Sequence, residues 1–300
     1  MENTNAIFLI RCMDRKGLVA GITNFFYETG LNIVNCQQYT DVMSGQYFMR
    51  LKLDLTDLSV ARSELEASLT EFGKPLGLEW SVHYSDYIPR MAVLVSKASH
   101  CLYDLLVKQR EGTLKCEIPL IVSNHPDLEY VAQQFRIPFF CIPVRRENKA
   151  ETEPRIIELL NAHHIDLVVL ARYMQVVSPE FIQLYHNRMI NIHHAFLPAF
   201  QGANPYLRAF RRGVKMIGAT AHYVTEDLDE GPIIEQDVVR VTHEYGPEDL
   251  SRIGRDVEMM VLSRAVKAHL EKRVIEHENR TIVFTGGAGA CTLRKNIRFS

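Results

Sequence analysis

The chain has 300 residues, of which 47% are hydrophobic and 23% charged, a composition typical of globular proteins that excludes a disordered or collagen-like chain. Its 34 Lys and Arg nearly balance its 36 Asp and Glu, and the net charge of −2 gives no indication of a nucleic-acid or membrane surface. A chain of this length predicts two domains.

The N-terminus and the cysteines predict the cellular compartment. Residues 1–20 carry charges around their only apolar stretch, which excludes a signal peptide, and no uninterrupted apolar run is long enough for a membrane span. The six cysteines are scattered without a C-x-x-C pair. We therefore expect a reducing, cytoplasmic setting.

The first part of the chain predicts a small domain with two helices and four strands. The alternation in residues 47–53 predicts that one face of this strand is better buried than the other. The predicted elements are a strand at 6–10, a helix from 18 to Gly30, strands at 32–39 and 47–53, a helix at 58–72 and a strand at 78–83. This βαββαβ order is typical of a ferredoxin-like domain, which we assign to residues 1–84.

A polar linker at 85–90 leads into continuous apolar runs that alternate with helical segments. Such runs predict a doubly wound α/β domain over 91–284, with a mostly parallel sheet and a ligand at the carboxyl ends of its strands. The predicted strands are 91–95, 120–122, 139–142, 167–170, 189–192, 215–224, 233–241 and 281–284, with a long helix from Pro247. The remaining residues, 285–300, predict an unstructured tail.

Polar residues at strand ends indicate where chemistry could take place. Asn191 and His193 end one predicted strand, His222 lies in another, and Asp229 follows it. An amide, an imidazole and a carboxylate are the groups that acyl transfer or hydrolysis at a carbonyl requires. The same residue types also cap helices and form turns, so this pattern alone leaves both interpretations open.

Three segments carry a family resemblance. Residues 191–198 (NIHHAFLP), 218–225 (GATAHYVT) and 228–232 (LDEGP) resemble the signature of the 10-formyltetrahydrofolate-dependent formyltransferase fold. In the N-terminal part, residues 14–19 (DRKGLV) and 31–33 (LNI) resemble an ACT domain. The pairing of an ACT domain with a formyltransferase domain is similar to the formyltetrahydrofolate deformylase family.

The resemblance implies a reaction and its residues. The family's catalytic Asn, His and Asp fall on Asn191, His193 and Asp229. They imply hydrolysis of 10-formyltetrahydrofolate to formate and tetrahydrofolate, supplying formate for purine synthesis and balancing the folate pool, with no cofactor besides this substrate. Asn191 and His193 would hold the developing oxyanion, and Asp229 would position the water.

The resemblance also implies where the folate binds. Backbone groups would contact the edge of the pterin and apolar side chains its face. The implied substrate-binding residues are Met174, Gln175, Val176, Val177, Val224 and Thr225. The alternative is that Met174, Val176 and Val177 are core residues.

Formyl transfer and non-catalytic sensing are the two alternatives to hydrolysis. A formyltransferase acting on a phosphorylated amine would carry a Gly-rich phosphate-binding loop after its first strand, whereas residues 95–101 (VSKASHC) contain no glycine. The tRNA-directed relative has an additional C-terminal domain, for which too few residues follow Leu270. A non-catalytic folate or amino-acid sensor would not need the Asn, His and Asp residues.

A metal site formed by His193, His194, His222 and Asp229 is a further alternative. We disfavour it because adjacent histidines in a strand point to opposite faces, and we predict no metal. His163 and His164 are predicted to end a helix.

The ACT resemblance implies an amino-acid effector, with glycine and methionine as candidates, and a homo-oligomer in which ACT domains pair. By position, the implied effector residues are Asp14, Gly17, Leu18 and Asn32. Asp14 and Gly17 could instead only end a strand and start a helix.

Overall fold

The computed structural model describes residues 4–144, 148–198 and 205–286. These form two compact units. The first contains residues 4–87, 272–275 and 282–286, and the second contains the described residues of 88–271 together with 276–281. Within these ranges, no helix combines the length and the apolar character needed to cross a membrane. Most of the predicted tail, residues 287–300, lies outside the described residues.

The N-terminal unit has the predicted ferredoxin-like βαββαβ fold. Its elements are β1 (Asn5–Met13), α1 (Leu18–Glu28), β2 (Asn32–Asp41), β3 (Gln46–Asp54), α2 (Arg62–Gly73) and β4 (Glu79–Tyr84). The strands form an antiparallel sheet in the order β2-β3-β1-β4. Helix α1 buries Leu18, Ile22 and Phe26, which recur at four-residue spacing.

Two details of this unit differ from the sequence prediction. Leu58 precedes α2, because Asp54 accepts a hydrogen bond from the backbone N–H of Thr56 and so forms a turn that keeps the helix from starting there. Phe48 and Arg50, predicted on the less buried face of β3, are only 0% and 7% exposed. Arg50 Nε donates to the carbonyl of Lys272, 2.9 Å away, so a distant part of the chain covers this face.

The second unit has the predicted doubly wound fold. Its elements are β5 (Met91–Val95), α3 (His100–Arg110), β6 (Ile121–Ser123), α4 (Glu129–Phe135), β7 (Phe139–Cys141), α5 (Lys149–Ala162), β8 (Leu167–Leu170), α6 (Pro179–Leu184), β9 (Met189–His193), α7 (Pro205–Arg212), β10 (Met216–Tyr223), β11 (Ile233–Arg240) and α8 (Pro247–Leu270). The sheet order is β11-β10-β9-β8-β5-β6-β7. Strands β9 to β7 in this order are parallel, and β10 and β11 are antiparallel to their neighbours. The predicted helix end at His163 is confirmed, because α5 ends at Ala162.

A two-stranded hairpin, β12 (Val274–His277) and β13 (Arg280–Val283), follows α8. The sequence predicted only its second strand. The turn residues Glu278 and Asn279 both have positive φ, 49° and 56°. Glutamate rarely adopts this conformation, and the glycine that usually signals a hairpin is absent from these two turn positions. The sequence therefore gives no indication of the turn.

Aromatic packing in the N-terminal core yields a stability prediction. Phe26 is fully buried, with its ring centroid 5.0 Å from that of Phe8. Phe26→Ala should lower the free energy of unfolding by about 3–5 kcal/mol, because it leaves a cavity. Trp80 is the only tryptophan of the chain and lies 6.1 Å from Phe8, so urea unfolding followed by its fluorescence reports on this core.

The neighbouring Tyr27 provides the matched control, since it is 77% exposed. Tyr27→Ala should change the free energy of unfolding by less than about 0.5 kcal/mol. Equal losses in Phe26→Ala and Tyr27→Ala would contradict the predicted packing.

Candidate active site

Strands β9 and β10 bring the candidate residues onto one face of the second unit's sheet. Asn191 and His193 are two residues apart in β9, so their side chains point to the same face. The antiparallel register sets Asn191 opposite His222 and His193 opposite Thr220. His193 and His222 are 6% and 2% exposed, so both imidazoles are largely removed from bulk water.

Asp229 reaches this face from the loop between β10 and β11. It has a positive φ of 60°. The loop is held by the Tyr223 N–H, which donates to the carbonyl of Pro232, and by Asn279 Nδ2, which donates to the carbonyl of Glu230. A Cβ at Gly231 would overlap with the carbonyl of Tyr223, so only glycine allows the loop to lie this close to β10.

The Asp229 carboxylate lies between two imidazoles. Its Oδ2 is 3.1 Å from His193 Nδ1, and its Oδ1 is 3.7 Å from His222 Nε2. The hydrogen bond from His193 outweighs the effect of burial and holds the pKa of Asp229 well below its usual value. Asp229 is therefore ionised and accepts the Nδ1–H of His193.

His222 orients Asn191. Its Nδ1 is 2.8 Å from the carbonyl of Tyr223, which can only accept, so Nδ1 carries a proton. In the neutral ring, Nε2 is then an acceptor, and Asn191 Nδ2 lies 3.3 Å from it. This contact fixes which end of the Asn191 amide faces His222. From the sequence, His222 is predicted only as one of the polar residues or as a metal ligand. Its orienting role could not be predicted, since it depends on the register between strands.

Two nitrogen atoms of this group remain available for a ligand. His193 Nε2 is buried and has no hydrogen-bond partner among the residues that the structure describes. Asn191 Nδ2 has a second N–H beyond the one directed at His222. An amide N–H and an imidazole nitrogen beside an ionised carboxylate can together bind a carbonyl oxygen and an attacking water.

His194 corrects one sequence argument. Strand β9 ends at His193, and His194 lies in a bend. The two imidazoles therefore stack, with ring centroids 5.0 Å apart and planes 15° apart, instead of pointing to opposite faces. The premise used to disfavour a shared metal ion was wrong.

The implied folate-binding residues lie in two segments that share a core cluster. Val177 belongs to this cluster and Val224 packs against it, whereas Gln175 is partly exposed. Met174 and Val176 are 60% and 59% exposed, so the alternative that they are core residues is wrong for both and right only for Val177. Thr225 Oγ1 donates to the carbonyl of Asp227 at 3.2 Å.

The loop after β5 supports the first of these segments. Ser96 is 4% exposed, donates to Asn124 Oδ1 at 2.6 Å and accepts the backbone N–H of Met174 at 3.0 Å. The serine that stands where a phosphate-binding glycine was sought therefore positions the segment that begins at Met174.

The implied effector residues surround the start of α1 in the N-terminal unit. Gly17 has a positive φ of 91° and precedes the helix, and Asp14 and Asn32 are exposed. Leu18 is 3% exposed and belongs to the core. Within the described part of the chain, no hydrogen bond or ion pair joins Asn32 to Asp14 or Gly17.

Comparison with known proteins agrees with this architecture. The Formyl transferase family model matches residues 89–266, and the ACT domain model matches residues 6–69. The chain is 50% identical over 284 residues to the formyltetrahydrofolate deformylase of Synechocystis sp. (strain ATCC 27184 / PCC 6803 / Kazusa), covering 95% of this chain and 100% of that protein. The chain belongs to the formyltetrahydrofolate deformylase family.

Solved structures extend this assignment. A formyltetrahydrofolate deformylase from Pseudomonas syringae pv. tomato superposes with a TM-score of 0.91 at 42% identity, covering 94% of this chain and 95% of that chain. Glycinamide ribonucleotide transformylase 1 from Symbiobacterium toebii has a TM-score of 0.61 at 30% identity, covering 68% of this chain and 97% of that one. The deformylase family therefore shares part of its fold with transformylases.

Proposed function

We propose that this protein hydrolyses 10-formyltetrahydrofolate to formate and tetrahydrofolate. The observation that carries the proposal is the convergence of Asn191, His193 and Asp229 on one sheet face, where His193 Nε2 has no hydrogen-bond partner among the described residues. The relatives named formyltetrahydrofolate deformylase, similar over nearly the whole chain, support the substrate. Supply of formate for purine synthesis and a cytoplasmic location are parts of the same proposal.

In this mechanism water attacks the formyl carbon. A C–O bond forms and the N10–C bond breaks, while one proton leaves the water and one joins N10. Asn191 Nδ2 and His193 Nε2 donate to the formyl oxygen as it becomes an oxyanion. Ionised Asp229 accepts from His193 Nδ1, so its negative charge stabilises the positive charge that the ring bears when both nitrogens are protonated.

Asp229 also positions the water. Because the pKa of Asp229 is held low by the hydrogen bond from His193, its carboxylate is a weak base that orients the water more than it removes a proton. Folate binding is assigned to Met174, Gln175, Val176, Val177, Val224 and Thr225. The exposed side chains of Met174 and Val176 offer apolar surface for the pterin, and Val177 contributes through its backbone because its side chain is buried.

Formate release from 10-formyltetrahydrofolate without an amine acceptor tests the reaction. The wild type should release formate. Asn191→Ala and His193→Ala should each lose about a hundredfold or more in kcat, because an oxyanion donor contributes about 3 to 4 kcal/mol. Asp229→Asn should release almost none. Release of formate by none of the proteins would return formyl transfer to an amine to first place.

His222 has a positioning role that separate variants test. His222→Leu removes the acceptor for Asn191 Nδ2, so kcat should fall about tenfold with KM nearly unchanged, the effect of one hydrogen bond. His222→Gln retains an acceptor oxygen and should recover most of the rate. His163→Leu, at the end of α5, is the matched control and should keep the wild-type kcat. Equal losses for Leu and Gln at position 222 would refute the orienting role.

We further propose that the ACT domain binds an amino acid and pairs in a homo-oligomer. The candidate contacts are Asp14, Gly17 and Asn32, with Leu18 contributing through its backbone, since its side chain is buried. Domain limits of 1–84, 85–90 and 91–284 remain a prediction for the regulatory domain, linker and catalytic domain.

Glycine and methionine provide the test of this regulation. One of them should change the rate of formate release or the melting temperature, because a ligand that binds only the folded state stabilises it. Asn32→Ala should reduce this response. If neither amino acid changes either quantity, the ACT domain is structural in this protein.

A further inference from the structure

Arg172 has an unusual backbone next to the candidate active site. Its φ is 64°, in the left-handed region that favours glycine. Strand β8 ends at Leu170, which pairs with Asn191 in the parallel register with β9. Arg172 follows this strand end by two residues. A strained arginine beside the candidate catalytic strand suggests a role for its side chain.

The Arg172 guanidinium is incompletely satisfied. Its Nε lies 3.5 Å from Glu258 Oε2, which is an ion pair without hydrogen-bond geometry. Neither Nε nor Nη1 has a hydrogen-bond partner within the described ranges, although both atoms are buried. Buried donors without partners are unfavourable, so Arg172 carries a cost in stability.

Glu258 is the buried anion of this cluster. It lies in α8 and is 1% exposed, yet it accepts from Tyr206 Oη at 2.6 Å and from His100 Nε2 at 2.7 Å. Burial alone would raise the pKa of Glu258, but the His100 hydrogen bond and the charge of Arg172 outweigh it and lower this pKa. A Cβ at Gly254 would overlap with Tyr206, so the helix has a glycine where the tyrosine must enter.

The cluster does not have the charge of a metal site. Ligand atoms of His100, Cys101 and Glu258 lie within 4.8 Å of one another. The carboxylate is already bonded to a tyrosine and a histidine, however, and the Arg172 guanidinium beside it would repel a cation. Glu258 is thus arranged to hold an organic cation, and Arg172 supplies one.

The cluster borders the candidate catalytic histidine. The ring of Tyr206 lies 6.4 Å from that of His194, which stacks on His193 at 5.0 Å. Asp229 contacts the same His193 through Nδ1. Glu258 is therefore connected through Tyr206 and His194 to His193, the histidine that would hold the formyl oxygen.

We propose that Arg172 selects water as the formyl acceptor by occupying the place beside Glu258 that a primary amine would take. The guanidinium fills the space that an amine would need, whereas water is small enough to reach the formyl carbon without it. This inference rests on the proposed deformylation. It explains how a fold shared with a transformylase can favour hydrolysis through one residue whose backbone conformation suits glycine.

The competing reaction is formyl transfer to the amine. A primary amine attacks the formyl carbon, a new C–N bond forms and the N10–C bond breaks. The amine loses one proton and N10 gains one, giving a formamide and tetrahydrofolate. With Arg172 removed, Glu258 would accept a hydrogen bond from an N–H of the incoming neutral amine, whose lone pair stays free to attack.

The test uses Arg172→Gly in the full chain, since glycine adopts φ 64° without strain. Each protein is given 10-formyltetrahydrofolate and glycinamide, and N-formylglycinamide and formate are quantified by mass spectrometry. The ratio of formamide to formate should rise about tenfold to a hundredfold over wild type, as expected for a new charge-assisted contact. Adding Glu258→Gln to Arg172→Gly should abolish most of this rise.

Further variants make the outcome unambiguous. Arg172→Asn, which also tolerates the left-handed region, should raise the ratio as well, and Arg172→Lys should keep it near wild type. Arg136→Gly is the matched control, because Arg136 also has a positive φ, 58°, but ends α4. An unchanged ratio in folded Arg172→Gly and Arg172→Asn would overturn the inference. Formate release by the wild type alone reports separately on the proposed deformylation.

Discussion

The antiparallel pairing of β9 with β10 is the constraint on which the candidate site depends. It sets Asn191 opposite His222 and turns both toward the face that carries His193. A slip by one residue would move His222 to the other face of the sheet, because side chains alternate along a strand. Asn191 would then lose the contact that fixes its amide. The loop that carries Asp229 adds a carboxylate to a geometry that the sheet has already determined.

The same physical rule applies to two carboxylates of the second unit, the partly buried Asp229 and the buried Glu258. A carboxylate removed from water must be compensated by donors or cations. Asp229 accepts from the His193 imidazole, and Glu258 accepts from a phenol and an imidazole and pairs with a guanidinium. The surrounding groups lower the pKa of both acids. The two sites differ in the room that they leave for a ligand. His193 Nε2, beside Asp229, has no partner among the described residues, whereas the Arg172 side chain occupies the place beside Glu258.

The sequence predicted the fold well because both units follow strong local patterns. The continuous apolar runs of β5 and β8 and the helical spacing in α1 are readable without tertiary contacts. The motifs around Asn191 and Asp229 also located the candidate residues. What the sequence missed depends on distant parts of the chain. The burial of Arg50 requires the carbonyl of Lys272, and the stacking of His193 on His194 requires that β9 end between them. No sequence pattern indicated that Glu258 is a buried anion, because its partners come from three other segments.

The acceptor of the His222 Nδ1 proton is the main-chain carbonyl of Tyr223. A side-chain acceptor could be lost through a single base change in the gene, but every amino acid retains a backbone carbonyl. The tautomer of His222 is therefore insensitive to substitution at position 223, provided that the strand keeps its path. Loss of this tautomer would need a change in the backbone itself, such as an insertion near the bulge between Ala221 and His222. Insertions and deletions in this strand should consequently be far less tolerated during evolution than replacements.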